Sequence, residues 1–180
     1  MNRILEAIPF ETERCLIRLL REDDIDWYIK TINKPFFNEF VDIKACEKYN
    51  DIIKEKLLGL IRNWMERTHP QTEIRTVVSF GGELAGGLTV FRTGNGVYDL
   101  GYWVVPAYQG RGIGLEILRG ITTLARGYNL GVRELQLTIQ KDNERSIRIA
   151  KKAGYRLIGQ YEGIRTTNLV YRYTIDKKGR

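Results

Sequence analysis

The stretch VYDLGYWVV (residues 97–105) runs without a break into PAYQGRGIG (106–114), and Ile113, Ile117, Ile121, Leu124 and Ala125 then recur at helical spacing. The first nine residues are rich in aromatic and β-branched types, as in a strand, and the later spacing is that of one helix face. A strand therefore feeds a helix through a loop holding Gly110, Gly112 and Gly114. Glycine accepts positive φ and has no side chain to keep a ligand at a distance. The unpaired N–H groups and positive dipole end at a helix start suit an anion such as a pyrophosphate.

Other phosphate loops fit less well. A Walker A loop needs GxxxxGK[ST], and a dinucleotide fingerprint needs GxGxxG in a parallel unit with an acid about 20 residues on. The first is absent, and Leu115 and Ile117 stand where the last glycine of the second belongs. The strand after the helix ends in Gln136 to Gln140 without an acid. A plain glycine-rich turn remains an open reading at this level.

Upstream, Ile74 to Phe80, Glu83 to Phe91 and Val97 to Val105 are β-rich, separated by Gly81-Gly82 and by Thr93 to Gly96, which predicts an antiparallel meander. Before them, Cys15 to Leu20 predicts a strand, and Asp23 or Asp24 can cap a helix carrying Ile25, Tyr28, Ile29 and Ile32. Residues 33–44 contain Pro35 and read as a loop, whose Phe36, Phe37 and Phe40 either pack or line a pocket. Ile53, Leu57, Leu60, Ile61 and Trp64 mark one face of a helix from Ala45 to about Arg67.

Downstream, a strand at Arg133 to Ile139 precedes a helix opened by Asp142 or Asn143 and closed by Gly154, and strands follow at 155–161 and 169–175. The order β-α-α-β-β-β-α-β-α-β-β has no repeat or long linker, so one domain over residues 1–180 is expected.

With 43% hydrophobic and 28% charged residues, the 180-residue chain has ordinary globular composition. No apolar span nears the ~20 residues a membrane helix needs and no secretory h-region opens the chain, so no membrane partner is expected. Cys15 and Cys46 have no CxxC spacing and read as reduced packing residues, which implies a cytoplasmic address. His69 is the only histidine, so neither a metal site nor a Ser-His-Asp triad is expected. The net charge of +7 is C-terminal: residues 126–180 hold 13 Lys+Arg against 5 Asp+Glu. That surplus suits any polyanion, but the basic stretch lacks interleaved aromatics and any nucleic-acid motif, so no nucleic-acid partner is expected.

Together, Gln109-Gly110-Arg111-Gly112-Ile113-Gly114, Cys15 to Leu19, Leu100 to Val104, the pair Asn143 and Ser146, and Lys152 to Tyr155 resemble the GNAT superfamily of N-acetyltransferases, in its RimJ/RimL-like branch. The resemblance implies an α/β (α+β) fold with a mixed, curved sheet of about seven strands flanked by helices. Acetyl-CoA, as cosubstrate, would lie where two central strands splay. It implies that residues Gln109 to Gly114 hold the pyrophosphate, with Arg111 the basic residue inside the loop. Backbone N–H groups at about Trp103, Val104 and Val105 would meet the thioester and pantetheine.

Asp99 stands where many similar proteins carry a glutamate; it is the candidate base, one methylene shorter and so working through a water, or else a structural carboxylate. Asn143 and Ser146 either begin a helix or contact the cofactor, Asn143 at a pantetheine amide and Ser146 near the sulfur as proton donor. One or two of Arg145, Arg148, Lys151 and Lys152 can reach the nucleotide phosphates. The acceptor would be a primary amine, a peptide N-terminus or a small molecule, bordered by Phe36, Phe37, Phe40 and Tyr102. A protein α-amine, with a reference pKa of roughly 8 against about 10.4 for lysine, loses its proton more readily. A non-catalytic acyl-CoA sensor is the alternative function, and the expected state is a monomer or homodimer.

Overall fold

The computed structural model describes residues 3–38, 50–66, 72–127, 130–163 and 166–175. Among these residues, eight strands form one sheet: β1 (Phe10–Glu11), β2 (Cys15–Leu19), β3 (Glu73–Phe80), β4 (Glu83–Arg92), β5 (Val97–Val104), β6 (Glu134–Gln140), β7 (Arg156–Glu162) and β8 (Thr167–Thr174), in the order β1-β2-β3-β4-β5-β6-β8-β7. Every neighbouring pair is antiparallel except β5 and β6, which run parallel. The strand beyond the predicted seven is β1, whose two residues are too short to carry an alternation signal. Helices α1 (Arg3–Glu6), α2 (Ile25–Ile32), α3 (Pro35–Asn38), α4 (Asn50–Glu66), α5 (Ile113–Gly127) and α6 (Glu144–Lys152) complete the fold.

The stripes read from sequence become the core. Ile25, Tyr28, Ile29 and Ile32 of α2 are buried, as are Leu57, Ile61 and Trp64 of α4 and Ile113, Ile117, Ile121, Leu124 and Ala125 of α5. Ala85 to Val90 of β4 are buried without alternation, because a central strand is covered on both faces. Gly154 closes α6 at φ +90°, with Tyr155 N–H donating to Ala150 O and Gly154 N–H to Lys151 O.

Two local expectations change. Pro35 opens the helical turn α3 where a loop is predicted, since a proline at a first helical position loses no hydrogen bond. Asp24 does not cap α2 with its side chain: its carboxylate takes the Arg18 guanidinium at 2.6 and 2.8 Å and the Arg21 N–H at 2.8 Å, fixing the corner between β2 and α2. Phe40, Cys46 and His69 lie outside the described residues.

Two glycines decide how closely β4 meets β5. Gly86 pairs with Val104 and Gly87 with Trp103. A Cβ on Gly86 would stand 2.3 Å from the Trp103 carbonyl oxygen, and one on Gly87 2.8 Å from the Trp103 indole. The first contact is with backbone, which has no rotamer to escape into. Gly86→Ala is expected to cost about 1–3 kcal/mol, as overpacking does, and to lower Tm by about 5 °C in a thermal melt. An unchanged Tm would show that β4 and β5 stand farther apart.

Candidate active site

The parallel ladder between β5 and β6 pairs only Val97 with Glu134, Tyr98 with Leu135, and Asp99 with Gln136. Beyond Asp99 the strands part: β5 stays with β4 through Val104, and β6 stays with β8 through Gln140. Asp99 thus stands at the vertex of a splay, one edge of which is the β5 backbone from Leu100 to Val104.

Strand alternation sets which backbone groups face the gap. Val105 N–H donates to Ala85 O at 2.9 Å, toward β4. Residues two apart on a strand point the same way, so Trp103 N–H also faces β4, while the N–H groups of Tyr102 and Val104 face the gap. Of the three expected backbone donors, Trp103 and Val105 are therefore committed to β4, and the Val104 N–H alone faces the gap. Strand register, invisible in a single segment, makes the difference. The Val104 carbonyl points the same way as its N–H and accepts from Gln109 Nε2 at 2.9 Å; Gln109 Oε1 in turn accepts from the Arg145 guanidinium of α6.

The gap leads to the glycine loop. Gly110 has φ +78° and Gly112 φ +83°, both left-handed, and both are exposed. Gly114 serves another purpose: it is buried, and its Cβ would stand 3.0 Å from the Tyr102 ring and 3.2 Å from Ile149. The absent side chain lets α5 pack on β5 and α6. Glu116 N–H donates to Gly112 O at 3.1 Å, so the N–H groups of Ile113, Gly114 and Leu115 at the helix start have no intrahelical partner. The Ile113 side chain is core, leaving only its backbone for an anion. Arg111 is exposed, with its guanidinium 5.4 Å from the centre of the Tyr108 ring.

A half-buried carboxylate braces this helix start. Glu116 accepts from Thr12 Oγ1 at 2.6 Å, from Arg14 N–H at 2.7 Å and from the Arg14 guanidinium at 2.9 and 2.6 Å. Burial alone would raise its pKa, but these donors outweigh burial and hold it below the usual value. Arg14 Nη2 also comes within 3.4 Å of where a Gly112 Cβ would be. Sequence reading missed this tether, because its partners lie more than a hundred residues apart.

The two faces of β5 have different surroundings. Asp99, Gly101 and Trp103 share one face, and Tyr98, Leu100 and Tyr102 the other. On the first, the Trp103 ring stacks on Trp27 at 5.7 Å and meets Tyr28 and Phe37 edge-on at 5.6 and 5.5 Å, with Phe36 edge-on to Phe37 at 6.4 Å. Gly101 is exposed, and nothing comes closer to its Cβ position than Thr89 at 4.0 Å, so the surface between Asp99 and Trp103 is open. Burial raises the Asp99 pKa above the ordinary aspartate value, which makes it a stronger base when ionised.

Of the residues expected around an acceptor, Phe36 and Phe37 lie on this face, and Phe40 is outside the described residues. Tyr102 points to the opposite side, onto Gly114 and Ile149. Trp27 was missed, and its signal was available: a large aromatic off the apolar stripe of α2.

At the first turn of α6, Asn143 Oδ1 accepts from Ser146 N–H at 3.0 Å, the capping interaction that its position suggests. The Asn143 amide NH2 group is not consumed by that bond. Tyr155 does not serve this site, since its buried hydroxyl pairs with Thr122 Oγ1 at 3.1 Å. Among the described residues no group of His, Cys, Asp or Glu side chains could hold a metal, and no helix is long and apolar enough to cross a membrane.

A parallel pair that splays at a half-buried carboxylate and feeds a glycine loop at a helix start is the frame of this site, and the Acetyltransferase (GNAT) domain family matches residues 14–156. The chain belongs to that family. The N-alpha-acetyltransferase RimI of Mycobacterium tuberculosis is 35% identical over 85 residues, which are 44% of this chain and 49% of RimI. The chain thus spans about half the length of this curated relative. Among solved structures, a RimL ribosomal L7/L12 alpha-N-protein acetyltransferase in complex with coenzyme A superposes with TM-score 0.77 at 17% identity, covering 92% of this chain and 96% of that one. A spermidine N-acetyltransferase from Vibrio cholerae, in complex with CoA and spermine, gives 0.78 at 15% identity, with coverage of 90% and 96%. These two likenesses concern the fold.

Proposed function

We propose that the protein is an N-acetyltransferase that moves an acetyl group from acetyl-CoA directly to a primary amine, foremost the N-terminal amine of a peptide. The observation carrying this reading is the β5–β6 ladder that stops at Asp99, on the strand that ends in the glycine loop. The site fits the cofactor: left-handed Gly110 and Gly112 and the unpaired N–H groups of α5 suit a pyrophosphate, and the open β5 edge suits an amide-bearing arm.

Acetyl-CoA supplies an acyl carbon activated as a thioester. Asp99 accepts the amine proton through a water, and the Val104 N–H donates to the carbonyl oxygen as negative charge develops there. Asn143 offers its amide to the arm, Arg111 and Arg145 offer charge to the phosphates, and Ser146 faces the sulfur. The amine enters over Gly101 from the side of Trp27, Phe36, Phe37 and Trp103. Both substrates are held together by a single domain acting in the cytoplasm as a monomer or homodimer.

An aromatic acceptor wall favours an α-amine followed by an apolar residue over a polyamine, which calls for an acidic channel. In a thiol-release assay, N-terminal peptides are expected to exceed spermidine and free amino acids in kcat/KM by about tenfold or more, the worth of one apolar contact. Faster turnover of polyamines would overturn the acceptor assignment. Binding of acetyl-CoA by calorimetry with no thiol release across the panel would identify a sensor instead of an enzyme.

A further inference from the structure

Among the described residues, one buried hydroxyl lacks a hydrogen-bond partner. Tyr102 Oη is buried and makes no hydrogen bond among the described residues. Its ring packs on Gly114 in the first turn of α5 and on Ile149 of α6. Ser146 approaches closely enough to ease its ionisation slightly without reaching hydrogen-bond geometry, and burial outweighs that, pushing the phenol up to about 12. Tyr102 therefore stays protonated throughout the working range of any such enzyme and offers a permanent donor.

A buried unpaired hydroxyl costs about 1–3 kcal/mol. Retaining one beside the splay, next to Ser146 in the first turn of α6, makes sense if ligand binding turns Ser146 Oγ toward it. The alternatives nearby are closed: the Tyr155 hydroxyl is taken by Thr122, and α6 from Glu144 to Lys152 has no tyrosine.

We propose that Tyr102 is a positioning residue for the leaving sulfur: its hydroxyl donates to Ser146 Oγ, which turns the Ser146 O–H toward the sulfur. The inference rests on the acyl-CoA reading above. As the amine nitrogen bonds the acyl carbon, the C–S bond breaks with its electron pair on sulfur, and the amine proton passes to Asp99. The sulfur is held as thiolate by the Ser146 hydrogen bond and is protonated by water on release, while Asp99 returns its proton to solvent. Tyr102 gives up no proton; it keeps the Ser146 hydroxyl from pointing elsewhere. Sequence places Tyr102 beside the acceptor; its side of β5 moves it to the cofactor.

The test uses Tyr102→Phe, Ser146→Ala and the double variant, with wild type as control. Tyr102→Phe removes a hydroxyl that makes no hydrogen bond among the described residues, so its Tm is expected to equal or exceed that of wild type. Coenzyme A bound to the full chain is then titrated by thiolate ultraviolet absorbance. A donor to the charged form lowers a pKa, so the bound thiol in Tyr102→Phe is expected to titrate about one unit higher than in wild type. With acetyl-CoA, kcat is expected to fall about tenfold at a KM within about twofold, and the double variant to be no worse than Ser146→Ala, because the two residues act as one unit.

An unchanged thiol titration and kcat in Tyr102→Phe would overturn the assignment, as would additive effects of the two substitutions. A Tm several degrees lower would overturn its premise by revealing a structural partner for the hydroxyl. Failure of wild type itself to bind coenzyme A would instead bring down the acyl-CoA reading, and this inference with it.

Discussion

Gly112→Val is expected to abolish acetyl-CoA binding while leaving the protein folded. Gly112 sits at φ +83°, a conformation that a β-branched residue rarely adopts, and it is exposed, so the strain falls on the loop rather than on the core. Left-handed backbone costs a residue with a Cβ about 1–2 kcal/mol, and the loop relieves that by turning its N–H groups away from the anion. Losing two hydrogen bonds to a charged group, at about 1.5–3 kcal/mol each, lowers affinity about a hundredfold or more. Gly81→Ala is the control, because Gly81 has φ +60° in the β3–β4 turn and open space around it. It should lose stability and keep its affinity. Normal calorimetric affinity in Gly112→Val would show that the phosphate group binds elsewhere.

Asp99→Asn is expected to lower kcat by about 10²- to 10⁴-fold, the range of a general base, with acetyl-CoA affinity unchanged. The pH dependence follows from burial, which raises the Asp99 pKa. A base works only when ionised, so kcat/KM in wild type rises with pH through that raised value, and its acid limb lies above that of an exposed aspartate. The Asn variant loses the limb. Stability moves the other way. An acid whose folded pKa is raised binds more protons in the native state, so stability is lost as pH climbs from the unfolded value through the folded one. Above the raised value the wild type carries that cost, and the Asn variant does not. Asp99→Asn should therefore be no less stable in a neutral melt. A variant that melts lower and keeps its kcat would make Asp99 a structural carboxylate.

Both expectations start from residues singled out in sequence, but the tertiary structure changes what each does. Gly110, Gly112 and Gly114 read alike in the chain; φ separates the first two, which turn the loop, from the third, which seats a helix on Tyr102 and Ile149. Trp103, Val104 and Val105 also read alike, yet only Val104 presents its N–H to the gap, since Val105 bonds Ala85. Asn143 proves to be a cap through its oxygen.

What the chain alone determined is whatever local periodicity and local backbone chemistry encode: the meander, the strand–loop–helix at residues 97–127, the helix stop at Gly154 and the glycine turn before α5. Each depends on residues within one or two turns or a single hairpin. The tertiary structure decided the rest: where β5 and β6 part, which face of β5 carries Asp99 and which Tyr102, the Trp27–Trp103 wall, and the brace of Glu116 on Thr12 and Arg14. These depend on pairings across tens to a hundred residues, and because strand side chains alternate, a one-residue change of register exchanges the two faces. No short motif records that choice, which is why the glycine turn before α5 was legible in sequence and the side of the strand on which Tyr102 stands was not.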